Sequence, residues 1–276
     1  MATVAARERQ FGLWLGALPF AALAILFLYP VGKLLLASVE GGSLAHYERA
    51  LFDGLYIEVY GTTFRIALMV TVGAALLGYP IAHFIATASP GWAAMGLLCV
   101  MLPFWTSLLV RTYAWMVLLG RGGLVNKALV GLDLIERPIA LLHNETGVLI
   151  GMIHVLLPYF VFPVYAVMRR VDPNLLAAAE GLGASWWRVF WHVYLPLTLP
   201  GVIAGATLVF ILSLGFFITP ALLGGGKVIM IAVLIEQQVH QLHWAFAATL
   251  SSILLLITVG VSLLFSRALG AGARWH

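Results

Sequence analysis

Residues 171–201 read VDPNLLAAAEGLGASWWRVFWHVYLPLTLPG, and this stretch decides how the rest of the chain is organised. Asp172 before Pro173 is a helix-start pair, an acceptor at the cap and a proline at the first helical position. Residues 174–180 suit one or two helical turns, and Gly181 and Gly183 then supply the positive φ that a sharp reversal needs. A second amphipathic stretch, residues 185–194, holds Trp186, Trp187, Phe190, Trp191 and Tyr194, a density of aromatic rings that suits a membrane interface. Pro196 and Pro200 punctuate the entry into the next apolar run. The residues alone therefore predict a short helix, a glycine reversal and an aromatic helix lying against one face of a bilayer, which together form a docking surface.

On both sides of this segment the chain is apolar. Runs at about 11–36, 62–86, 92–119, 146–168, 197–223 and 244–269 each match the ~20 residues that cross a hydrocarbon core. Of the 276 residues 62% are hydrophobic and 9% charged, against roughly 45–50% and 25% in soluble domains. With a mean hydropathy of +1.02, a water-soluble fold is excluded. The fold expected is an all-α integral membrane protein of about six spans in one domain, residues 1–276. The first run is too long for the h-region of a cleaved signal, roughly 7–15 residues, so it is read as a span.

The net charge of +4 comes from basic residues scattered among loops, which is a topology signal and not a nucleic-acid footprint. With the N-terminus inside, Arg7, Arg9, Arg169, Arg170, Arg188, Arg267 and Arg274 are cytoplasmic, while Lys33, Arg49, Arg121, Lys127, Arg137 and Lys227 are outside. Charge counting barely separates the two orientations. The polar loops at 38–58 (with Glu40, Glu48, Asp53 and Glu58), 120–145 and 224–243 then lie outside, and part of 120–145 is expected to form a short interfacial helix. Cys99 is the only cysteine, which leaves no disulfide framework and no thiol metal cluster.

The 171–201 segment resembles the signature of binding-protein-dependent ABC importer permeases: Glu-Ala-Ala, three residues, Gly, nine residues, Ile, one residue, Leu-Pro. Ala178, Ala179, Gly183, Leu195 and Pro196 stand at the matching positions, Val193 replaces the isoleucine, and Ala177 replaces the glutamate. Two further stretches, PFWTSLLVRTYAW at 103–115 with GGLVN at 122–126, and ITPALLGG at 218–225, look like the third and fifth spans of spermidine/putrescine-type permeases.

The resemblance implies a type I ABC importer permease-like fold in a bacterial cytoplasmic membrane, with both termini inside and a cytoplasmic coupling helix between spans 4 and 5. It implies partners as well: a second permease subunit forming a heterodimer, a cytoplasmic ABC ATPase dimer that holds ATP and Mg, and a periplasmic solute-binding protein. The solute implied is a polyamine or related amine, and no cofactor is expected on this chain. The coupling loop would comprise Ala177, Ala178, Ala179, Glu180, Gly183, Leu195 and Pro196, with Glu180 one turn along as a partial substitute for the missing glutamate.

Candidates for the solute path are Trp105, Arg111, Tyr113, Trp115 and Glu236, since aromatic faces and carboxylates attract cations and an ionisable residue inside an apolar run is functional by default. The bland readings are an aromatic belt for the three rings and a solvated carboxylate for Glu236. Arg65 near a span end is read as a snorkelling side chain. His240 and His243, three apart, are expected to share a helix face, but nothing beside them completes a metal site. GGGK at 224–227 lacks the Ser or Thr of a phosphate loop. The rival classes are an intramembrane enzyme built on His154 or the His240 and His243 pair, and a passive channel. No nucleophile, base and orienting triad accompanies those histidines, and a channel leaves the 171–201 segment without a purpose.

Overall fold

The structure, a computed structural model, describes residues 2–39 and 44–272; Glu40 and Arg274 lie outside the described residues. The described residues form helices and connecting turns only. They are α1 (Ala2–Ala37), α2 (Ala45–Phe52), α3 (Gly54–Thr87), α4 (Pro90–Met101), α5 (Leu108–Leu119), α6 (Leu124–Gly131), α7 (Glu145–Met168), α8 (Pro173–Gly181), α9 (Trp186–Val189), α10 (Leu195–Leu214), α11 (Ile218–Leu223), α12 (Ile231–His240) and α13 (Trp244–Gly272).

Among the described residues six segments are long and apolar enough to cross a membrane: Pro19–Ala37, Gly54–Thr87, Leu108–Gly131, Glu145–Met168, Trp186–Leu214 and Trp244–Phe265. At about 1.5 Å per residue, the 34 residues of α3 reach well beyond a ~30 Å hydrocarbon core. Prolines inside α1, α3, α7 and α10 are compatible with spans, where neighbouring groups re-satisfy the freed carbonyls.

The core is the triangle of α3, α7 and α10, which pack on one another more extensively than any other helices. The centre is α7, 56% of whose apolar window is buried, against at most 33% for any other span. Phe160, Met152 and Leu156 of α7 are fully enclosed with Ile66 and Val70 of α3 and Val209 of α10. Gly201 and Gly205, four apart, let α10 approach the α7 backbone: a Cβ on Gly205 would sit 2.9 Å from the Phe160 carbonyl oxygen. Small residues at this spacing are how spans associate where lipid removes the hydrophobic drive.

A second cluster, Ala50, Tyr56, Val59, Ile231, Leu234, Phe246, Leu250 and Ile253, joins α2, the start of α3, α12 and α13. The apolar rings and chains of α1, such as Phe20, Leu26 and Phe27, stay exposed, as a lipid-facing helix requires.

Several elements differ from the hydropathy reading. The run at 92–119 is not one helix: α4 passes into a 3-10 turn (Leu102–Trp105), Thr106 is extended, and α5 starts at Leu108. Pro103 ends the α-helical ladder there because it has no N–H to donate. The run at 197–223 also divides, since α10 ends at Leu214 and α11 forms a separate short helix packed on α5 and α7. The loop at 120–145 does contain a short helix, α6. At the other end of the chain order, α1 begins at Ala2, so Arg7 and Arg9 fall within the helix instead of flanking it.

Candidate functional site

The end of the bundle between α7 and α10 carries α8. Asp172 caps it by accepting from the Asn174 N–H at 2.9 Å, with Pro173 in the first turn. Its far end closes with the Ala184 N–H donating to the Ala179 carbonyl and the Gly183 N–H to the Glu180 carbonyl. With Gly183 at φ +83°, this is the Schellman arrangement of a glycine-terminated helix. Gly183 alone takes the positive φ; Gly181, expected to share that role, is the last residue of the helix. No residue of α8 is buried, Ala177, Ala178 and Gly183 are exposed, and Leu182 is 90% exposed. The surface is therefore a short, capped, largely uncharged helix with its outer face open, while Leu176 packs toward the core.

Behind it, Leu176 and Glu180 face a cleft of about 110 Å³ that His83, Thr87, Trp186, Val189, Phe190 and Tyr194 complete. Glu180 lines this cleft and is exposed, as is Ala177.

The aromatic stretch is not a separate interfacial helix. Trp186–Leu214 is one continuous span in which Phe190–Tyr194 makes a π turn, the Leu195 N–H reaching back to the Phe190 carbonyl. Pro196 supplies the reason, because its ring would collide with the carbonyl four residues earlier in a regular α-helix, and a widened turn makes room. Trp186, Trp187 and Trp191 remain exposed, while Tyr194 is buried. Leu195 is half-buried and Pro196 exposed at the head of α10.

The solute-path residues separate into two groups. Arg111, in the first turn of α5, is half-buried with its Nε buried and unpaired. Trp115, one turn on, donates its indole N–H to His154 Nδ1 at 3.2 Å, the rings meeting edge to face. Trp105 and Tyr113 point away from this cluster and are exposed. Glu236 belongs to α12 and pairs with His240 at 2.7 Å. His240 and His243 do not share a helix face: α12 ends at His240, Leu242 turns with φ +62°, and His243 bonds Gln238 instead. Arg65 does not simply snorkel but pairs with Glu145 at 2.7 Å. Among the described residues no group of three or more His, Cys, Asp or Glu could hold a metal ion.

Residues 13–270 match the family described as binding-protein-dependent transport system inner membrane component. The chain belongs to that family. Among the relatives of this inner membrane component, the spermidine/putrescine transport system permease protein PotB of Escherichia coli (strain K12) is 37% identical over 223 residues, 80% of each chain. PotB of Haemophilus influenzae is 36% identical over 202 residues, 73% of this chain and 71% of the other. A bacterial alginate ABC transporter, solved in complex with an alginate pentasaccharide-bound periplasmic protein, shares the fold with a TM-score of 0.73 at 17% identity, covering 94% of this chain and 93% of that one. The permease is a multi-pass inner membrane protein, and the relatives are transport subunits and not enzymes.

Three polar features of the permease escaped the sequence reading. Asn126 is fully buried and staples the loop after α5, donating to the Gly120 and Ile139 carbonyls and accepting from the Ile139 N–H. Thr63 of α3 accepts from the Ile231 N–H at 2.8 Å, fixing the start of α12. His83 and Tyr79 of α3 bond Tyr194 and Thr198 across to the other helix. Asn126 stood in the quoted GGLVN stretch and could have been singled out as a polar residue among apolar ones; the others have no local signal, because their partners lie 111 to 168 positions away.

Proposed function

We propose that this chain is one of two permease subunits of an ATP-driven importer, and that α8 is the element through which a cytoplasmic ABC ATPase dimer acts on it. The second permease pairs with it around a central path, ATP and Mg sit on the ATPase, and a periplasmic binding protein delivers the solute. Both termini and the 171–194 loop face the cytoplasm. The observation that carries the reading is the Gly183-terminated α8, none of whose residues is fully buried, within a chain of this family. A short helix so exposed, with no charge but Glu180, suits an apolar groove on a partner better than open water.

The solute is a polyamine or related amine, supported by the spermidine/putrescine permeases at 36–37% identity. Trp105, Tyr113 and Trp115 supply aromatic faces for a cation. α4, α5, α10, α11 and α13 carry no Asp or Glu, α7 only Glu145 at its start and α3 only Glu58 near its start. Glu236, on α12 outside these helices, is the carboxylate assigned to the amine.

The test is uptake and ATP hydrolysis by the complete complex in proteoliposomes, with Gly183→Asp beside wild type. Binding of solute by the delivery protein stays intact, while uptake and solute-stimulated hydrolysis collapse together. A Gly183→Asp complex that assembles and transports at the wild-type rate removes α8 from the coupling role. Calorimetry of the delivery protein against putrescine and spermidine tests the solute separately, and no affinity for any amine would sink that part alone.

A further inference from the structure

Two helices that meet above α8 each contain a soft point. In α3 it is Pro80, which lacks the N–H that would bond the Leu76 carbonyl, so the ladder loses a rung. In the Trp186–Leu214 span it is the π turn at Phe190–Tyr194. Between these points the helices are fastened by side chains. His83 Nδ1 lies 2.9 Å from the Tyr194 hydroxyl, and the Tyr79 hydroxyl lies 3.0 Å from Thr198 Oγ1. Thr198 donates its own proton to the Leu195 carbonyl, so it accepts from Tyr79. The Tyr79 ring also meets Phe190 edge to face.

Positions 79 and 83 thus grip 190, 194 and 198. An α-helix drifts by about 40° over each four residues, which would swing such a column off one face. A π turn advances less per residue and takes that drift back, so the turn and the column belong together. Thr198 is fully buried and Tyr194 nearly so, and α8 rests against the same group through the cleft that Leu176, Glu180, His83 and Tyr194 share.

We infer that His83 and Tyr79 are positioning residues that bind the last two turns of α3 to the π segment, so that a displacement of α8 moves both helix ends as one body. This rests on α8 being the coupling element. Without the two bonds the π turn absorbs the displacement locally, and α3, which packs on α7 throughout the core, stays where it is.

The experiment uses the complete importer in lipid nanodiscs with Tyr194→Phe, Tyr79→Phe and His83→Leu, reading assembly, basal hydrolysis, solute-stimulated hydrolysis and uptake. Assembly and basal hydrolysis stay near wild type, while stimulation and uptake fall by about 2- to 30-fold, the range that coupling energies along such contacts convert to. His83→Gln, which keeps a hydrogen-bonding group, recovers most of the stimulation. In a Cys99→Ala background, Tyr79→Cys with Thr198→Cys bridged by a short bifunctional thiol reagent keeps uptake, because the bridged helices already travel together. Uptake abolished by that bridge overturns the inference, and the bridge alone decides if the other variants fail to assemble. Variants that assemble and remain fully stimulated overturn it too. A wild-type complex without solute stimulation instead overturns the importer reading, and the inference with it.

Discussion

At Gly183 the space that a Cβ would occupy is empty, so the backbone, at φ +83°, is what restricts the position. Any L-residue there pays about 1–2 kcal/mol for the left-handed conformation, with Asn tolerated better than most. Gly183→Asn is therefore expected to retain more solute-stimulated hydrolysis than Gly183→Ala, and a greater loss in the bulkier Asn variant would show that bulk and not conformation matters. Asn126 poses the opposite case, a side chain with no freedom and three partners. Asn126→Ala leaves buried backbone groups unpaired, costing about 1–3 kcal/mol, to be read as a lower thermal midpoint of the purified permease in detergent. The Arg65 and Glu145 pair, with side chains 60% and 32% exposed, is worth about 0–1 kcal/mol, and Arg65→Ala should leave that midpoint nearly unchanged.

Among elements, the approach of α10 to α7 at Gly205 tolerates no added side chain, because the obstacle is the Phe160 backbone. Gly205→Leu is expected to destabilise the bundle by about 1–3 kcal/mol or more through overpacking, seen as aggregation or a lower midpoint in size-exclusion and thermal assays. Helices such as α7, the apolar run that ends at a pair of arginines, were readable from hydropathy alone. The Asp172 cap and the Gly183 reversal were equally readable, since each is written in a few adjacent residues. The π turn was not: its aromatic residues score as interfacial, and only the distant contacts of Tyr194 and Phe190 with α3 show that the helix continues. The division of α4 from α5 was lost to the same cause, because hydropathy averages over Pro103 and the break at Thr106.

For the molecule as a whole, the orientation follows if the α8 end is cytoplasmic. Single cysteines in a Cys99→Ala background test it: position 185 should resist an impermeant thiol reagent added to intact cells, and position 134, in the loop after α6, should react. The reverse pattern would invert the topology. The break at Thr106 and Ser107 also dictates where water lies. It separates the apolar helix Pro90–Trp105 from the Leu108–Gly131 span, and the first turn of α5 has no side-chain cap. Peptide groups left open there cannot face acyl chains, where nothing satisfies them. The side of the bundle that carries Trp105 must accordingly be wetted or covered by protein, never by lipid. Deuterium should therefore enter the amides of residues 108–110 well before those of α7, giving a hydration map of the crossing that needs no knowledge of the solute.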